Sequence, residues 1–154
     1  MNVMLKPAAG QALELTREYK APRARVFAAW TDPDQASRWW VPQDCELLSC
    51  RMDVRAGGGW HRRMRVPDGG VVTKWGEYRE VVVPERLVFT YITEYADGRS
   101  DPETLVTVTF DALAGGRTRL TLRHEAFWSE EARVSHTGGW TGALERFGQF
   151  VAVE

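Results

Sequence analysis

The sequence predicts one α+β domain in which a curved antiparallel sheet wraps a long C-terminal helix. Three observations predict it. From Cys45 to His124, strand-like segments follow one another, separated by short turns rich in Gly, Pro and Asp. Before them come one alternating segment and two short stretches with helical spacing. After them the period changes, and Trp140, Leu144, Phe147 and Val151 recur on one face of an α-helix.

Residues 1–11 read as a flexible tail, and 12–154 as a single domain. Leu13–Lys20 alternates, with Leu13, Leu15 and Tyr19 on one face, as a half-buried strand does. Pro22 suits the first turn of a helix carrying Val26, Phe27 and Trp30. Thr31-Asp32-Pro33 closes it and opens a second short helix, Asp34–Trp40. Strands are expected at Cys45–Val54, Trp60–Val66, Val71–Val83, Leu87–Glu94, Thr104–Asp111 and Thr118–His124. Pro67-Asp68-Gly69-Gly70 and Ala114-Gly115-Gly116 are hairpin turns between them. Gly76, inside a long strand, marks a bulge or a close backbone approach.

Ser129 is a fitting N-cap for the last helix, with Glu130 and Glu131 at the positive end of its dipole. Its apolar face carries His136 one turn before Trp140, while Glu145 and Gln149 fall on the opposite side. Four glycines interrupt it: Gly138, Gly139, Gly142 and Gly148. Each costs about 1 kcal/mol against Ala. Gly139 flanks the buried face, where the absence of a side chain would leave space beside the Trp140 ring. A straight helix cannot touch a curved sheet along its whole length, so a gap opens toward one end. The two short helices can close part of it, leaving a cavity.

Composition excludes several function classes. A net charge of -1 argues against a nucleic-acid partner, which needs an excess of Lys and Arg. No apolar run approaches the roughly 20 residues that span a bilayer, so no membrane insertion is expected. No signal peptide is visible, and Cys45 and Cys50, on opposite faces of one strand, cannot pair without breaking it. A cytoplasmic location follows as the expectation. The three His and two Cys lack zinc-ligand spacing, so no metal is expected. No Gly-x-Gly-x-x-Gly opens a helix after a strand, and no cofactor is implied.

Ordered along the chain, four stretches carry a resemblance. They are Ala21-Pro22 through Phe27-Ala28-Ala29-Trp30-Thr31-Asp32-Pro33, then Ser37-Arg38-Trp39-Trp40-Val41-Pro42, then Met64 to Gly69 with Gly76-Glu77-Tyr78-Arg79-Glu80-Val81 and Pro84-Glu85-Arg86-Leu87-Val88, and finally His136-Thr137-Gly138-Gly139-Trp140 with Leu144 and Phe147. Over residues 12–152 the chain resembles the START-like, or SRPBCC (Bet v 1-like), superfamily. Within it, the chain resembles the family named for the C-terminal domain of the activator of the heat-shock protein 90 ATPase. The resemblance implies a helix-grip fold. It also implies a small hydrophobic ligand held between sheet and helix, since members of the superfamily bind lipids, sterols, polyketides or hormones. A cyclase- or dehydratase-like enzyme and a chaperone-activator module are the alternatives. The sequence shows no counterpart of the separate N-terminal domain of eukaryotic chaperone activators, which ranks that role behind ligand binding. A homodimer through an exposed strand edge is a further possibility.

The residues expected to contact the ligand are Trp40, Trp60, Met64, Tyr91, His124, His136 and Trp140. Aromatic rings would supply apolar walls and the histidines polar anchors. A paired acid–base role for His124 and His136 is the lesser reading against two separately satisfied histidines, and no catalytic residue is assigned. Trp60, Arg62 and Met64 share one strand face, which puts Arg62 inside. There it should be paired, with a protein carboxylate as the expected partner and an anionic ligand group as the alternative. Arg133 raises the same question from the helix.

Overall fold

The structure, a computed structural model, describes residues 12–152. The tail expected over 1–11 lies outside the described residues. In chain order the elements are β1 (Leu13–Tyr19), α1 (Arg23–Thr31), α2 (Pro33–Trp40), β2 (Glu46–Met52), β3 (Gly59–Arg65), β4 (Val71–Val82), β5 (Arg86–Glu94), β6 (Thr104–Leu113), β7 (Arg117–Glu125) and α3 (Glu130–Ala152). Each expected element is present, with ends shifted by a few residues at most.

All seven strands form one antiparallel sheet, ordered β1-β7-β6-β5-β4-β3-β2. Strands β2 to β7 are a meander, and β1 joins its far side against β7. The chain therefore travels from one sheet edge to the other between β1 and β2, and α1 and α2 make that passage. Asp32 joins the two helices. Its amide closes α1 onto the Ala28 carbonyl at 2.9 Å, and its carboxylate accepts from the Asp34 amide at 3.1 Å to open α2. Gly115 and Gly116, at φ 78° and 71°, supply the left-handed backbone of the β6–β7 hairpin.

Gly76 is a site of close approach. A Cβ there would collide with the Thr90 carbonyl and lie 2.8 Å from Trp60 Nε1, which itself donates to Thr90 O at 3.1 Å. The strand irregularity falls a few residues on, between Tyr78 and Glu80.

Ser129 caps α3 as expected, its Oγ accepting from the Ala132 amide at 3.0 Å. The predicted face of α3 is buried: Trp140, Leu144, Phe147 and Val151 pack onto α1, α2 and β1. Glu145 and Gln149 are exposed. Burying side chains of this size stabilises the fold by roughly 1.5–3 kcal/mol each. Opposite them, β5 to β7 present Leu87, Phe89, Val106, Val108, Phe110, Leu120 and Leu122. Because α3 rests on α2 and β1, the curved sheet separates from it toward β3, β4 and β5. The cavity lies there.

Candidate functional site

The cavity measures about 270 Å³ and is partly enclosed. Strand β3 contributes Arg62 and Met64, β4 Lys74, and β5 Tyr91 and Thr93. Trp40 ends α2 at one side. Helix α3 supplies His136, Gly139, Trp140 and Arg146. A Cβ on Gly139 would meet nothing within 4 Å. The missing side chain therefore opens the wall of the cavity.

Of the seven residues expected to contact a ligand, the structure brings Trp40, Met64, Tyr91, His136 and Trp140 onto this wall. Trp60 and His124 lie outside it. Trp60 faces inward, as the β3 alternation required, but its ring packs behind Trp40 at 5.7 Å. His124 is fully buried among Tyr91, Phe127 and Trp140.

The hydrogen bonds of His124 define its tautomer. Trp140 Nε1 can only donate, and it donates to His124 Nδ1 at 3.0 Å. The ring proton therefore sits on Nε2 and is given to Thr104 Oγ1 at 2.7 Å, while Thr104 donates onward to the Tyr91 carbonyl at 2.8 Å. Both nitrogens are used. Burial, reinforced by His136, pushes the His124 pKa down to about 2. His124 has neither a free lone pair nor a free N–H for a ligand, and no two-histidine acid–base pair is available. His136 differs. Its Nδ1 donates to the Ala132 carbonyl at 2.8 Å, which leaves Nε2 as an acceptor with no partner among the described residues. Burial holds its pKa below the usual histidine value.

Arg62 corrects the expected pairing. It is buried and inward-facing, yet among the described residues no carboxylate meets it, and its three nitrogens make no well-formed hydrogen bond, the weak Cys50 thiol being the one hydrogen-bonding group that acts on it. The groups that act on its charge are the Cys50 thiol and the Tyr91 and Tyr78 phenols, none of them a carboxylate. Its guanidinium carbon instead lies 3.6 Å from the Trp40 ring centre and 5.3 Å from that of Trp60. Cation–π attraction of this kind reaches about 2 kcal/mol when desolvated. Desolvating an unpaired ion costs several kcal/mol, so the rings offset only part of it. Arg133 is different again: it pairs with Glu130 at 3.6 Å and lies off the cavity wall.

Two further wall cations were not singled out from the sequence. Lys74 donates to Thr93 Oγ1 at 3.2 Å. Arg146 ties down the end of α2 through the carbonyls of Trp39 at 3.0 Å and Trp40 at 3.3 Å. Lys74 was within reach of sequence reasoning: counting back from the Pro67–Gly70 turn places it opposite Arg62, as the β3–β4 register shows. Arg146 carries no such signal. Among the described residues, no group of three or more His, Cys, Asp or Glu is placed to hold a metal ion, and no helix is long and apolar enough to cross a membrane.

Among curated proteins, none matches this chain. Solved bacterial structures do. The AHSA1 protein of Silicibacter pomeroyi is 25% identical, with a TM-score of 0.82 over 92% of this chain and 98% of its own. A solution structure from Arthrobacter aurescens is 26% identical, with a TM-score of 0.79 over 95% of this chain and 88% of its own. An uncharacterized protein from Rhizobium leguminosarum is 25% identical, with a TM-score of 0.77 over 93% and 95%. The family model for the Activator of Hsp90 ATPase homolog 1-like protein matches residues 20–152, almost the whole of the described fold. This helix-grip chain belongs to the Activator of Hsp90 ATPase homolog 1-like family.

Proposed function

We propose that the domain binds one small, largely hydrophobic molecule in the cavity between the sheet and α3. The observation that carries this reading is the wall itself. Trp40, Met64, Tyr91 and Trp140 surround a space of about 270 Å³ with apolar surface, and a glycine leaves it open on the helix side. Small-molecule sites are concave, mostly apolar and furnished with a few polar groups that orient the ligand. Here those groups are Arg62, Lys74, Thr93 and His136. The volume lies just under the usual range of about 300–1,000 Å³, which suits a single ring or a short chain.

Native mass spectrometry of freshly purified protein tests the reading. The folded protein should carry a discrete extra mass that is lost on denaturation. Gly139→Leu, which adds a large side chain at the cavity wall, should carry none. A wild type with only the apoprotein mass, together with no thermal shift from any small aromatic or aliphatic compound, would overturn it.

A further inference from the structure

We infer that the ligand of this cavity is an acid: an apolar body bearing one carboxylate, which the Arg62 guanidinium receives with Lys74 beside it. The inference rests on the cavity reading above and makes it more specific.

Arg62 is the most buried residue of the wall, at 1% exposure, and among the described residues its three nitrogens meet no oxygen acceptor, only the weakly hydrogen-bonding Cys50 thiol. A guanidinium offers five N–H donors in a rigid fork and stays charged. The Trp40 ring at 3.6 Å attracts that charge but supplies no oxygen. Lys74 stands directly across from Arg62 in the β3–β4 register, and both line the cavity. Like charges in facing positions repel each other, so this pair is unfavourable until an anion lies between them.

The rest of the wall does not compensate. Arg146 adds a third cation, and no Asp or Glu is on the wall. Among the described residues, none of the three cations has a carboxylate within 4.0 Å. The nearby Asp101 is engaged by the Tyr95 hydroxyl at 2.8 Å. Charge in a partly enclosed, low-dielectric space acts strongly. Such a space favours an anion over a neutral molecule of the same shape. A carboxylate fits the planar fork through two parallel hydrogen bonds. The aromatic wall then receives the apolar body.

Calorimetric titration with matched acids and amides tests this, using phenylacetate, 3-phenylpropionate and octanoate against their primary amides. The wild type should bind each acid at least about ten-fold more tightly than its amide, the factor expected for a hydrogen bond to a charged group. Arg62→Met should bring each acid down to the affinity of its amide while leaving the amide unchanged. Lys74→Gln should weaken the acids by a smaller factor. Equal binding of acids and amides to the wild type would overturn the inference while leaving the cavity reading intact. So would an acid preference that survives Arg62→Met. Absence of binding by every acid and every amide, in a protein that also carries no bound mass, would remove both. The wild-type comparison stands whether or not the variants fold.

Discussion

Trp140 and His124 are joined by a hydrogen bond from the indole Nε1 to the imidazole Nδ1, 3.0 Å long, that ties the cavity-facing side of α3 to β7. The bond also commits His124 to being neutral, because its only lone pair is occupied and its other nitrogen donates to Thr104. The wall residue Trp140 is held in place by a histidine that the cavity never reaches.

Stability should therefore depend on pH through His124. Its folded pKa, about 2, lies below the ordinary value of 6.5. Above pH 6.5 both folded and unfolded states are neutral at this group, and its contribution is fully present. Below that, the unfolded chain takes up a proton that the folded one refuses, so stability falls by about 1.4 kcal/mol per pH unit toward the folded pKa. Urea unfolding between pH 7.5 and 4.5 should show a steeper decline for the wild type than for His124→Gln. Parallel slopes would mean that His124 titrates in the folded protein.

Arg62→Met should stabilise the ligand-free protein. The substitution removes a desolvated, unpaired charge and keeps an apolar stem of similar length beside Trp40 and Trp60. A gain of about 1–3 kcal/mol is expected after subtracting the lost cation–π contact. In a domain of this size each kcal/mol moves Tm by roughly 2–4 °C. A lower Tm would show that Arg62 has a partner that compensates its burial.

Glycines of α3 separate helix stability from binding. Gly138 and Gly139 are exposed, and a Cβ at either meets nothing within 4 Å. Replacing each by Ala should add about 1 kcal/mol by raising helix propensity. Gly138→Leu should leave ligand binding unchanged, whereas Gly139→Leu should block it. Equal effects on binding at the two positions would place the ligand elsewhere.

Gly76→Ala should be severe. Its Cβ has no room against the Thr90 carbonyl and crowds Trp60 Nε1, so the Trp60–Thr90 hydrogen bond would be lost and β4 displaced from β5. A loss of about 3 kcal/mol is expected from overpacking and the broken bond together. Chemical denaturation measures it, and a change below about 1 kcal/mol would show that the strands yield more easily than their packing indicates.

Much of this architecture was legible residue by residue. The apolar face of α3, the Ser129 cap, the Asp32 junction and the inward set Trp60, Arg62 and Met64 all follow from local period and turn chemistry. Tyr91 was harder, because β5 is apolar on both faces and buried through most of its length. His124 shares the inward face of Leu120 and Leu122, but alternation cannot say whether an inward residue reaches a cavity or ends beneath a neighbour. Trp60 shares that ambiguity, packed behind Trp40.

The order of elements, their faces and the presence of a charged side chain inside are written in the local pattern of residues. These are set by interactions a few residues apart, and the chain carries them in its spacing. It took the packing of distant elements to show that Arg62 meets aromatic rings and, among the described residues, no carboxylate, that Lys74 and Arg146 join it around one space, and that Trp140 consumes the free lone pair of His124. Those relationships join β3, β4, β7, α2 and α3. They depend on how far a curved sheet departs from a straight helix, a distance that no local pattern records.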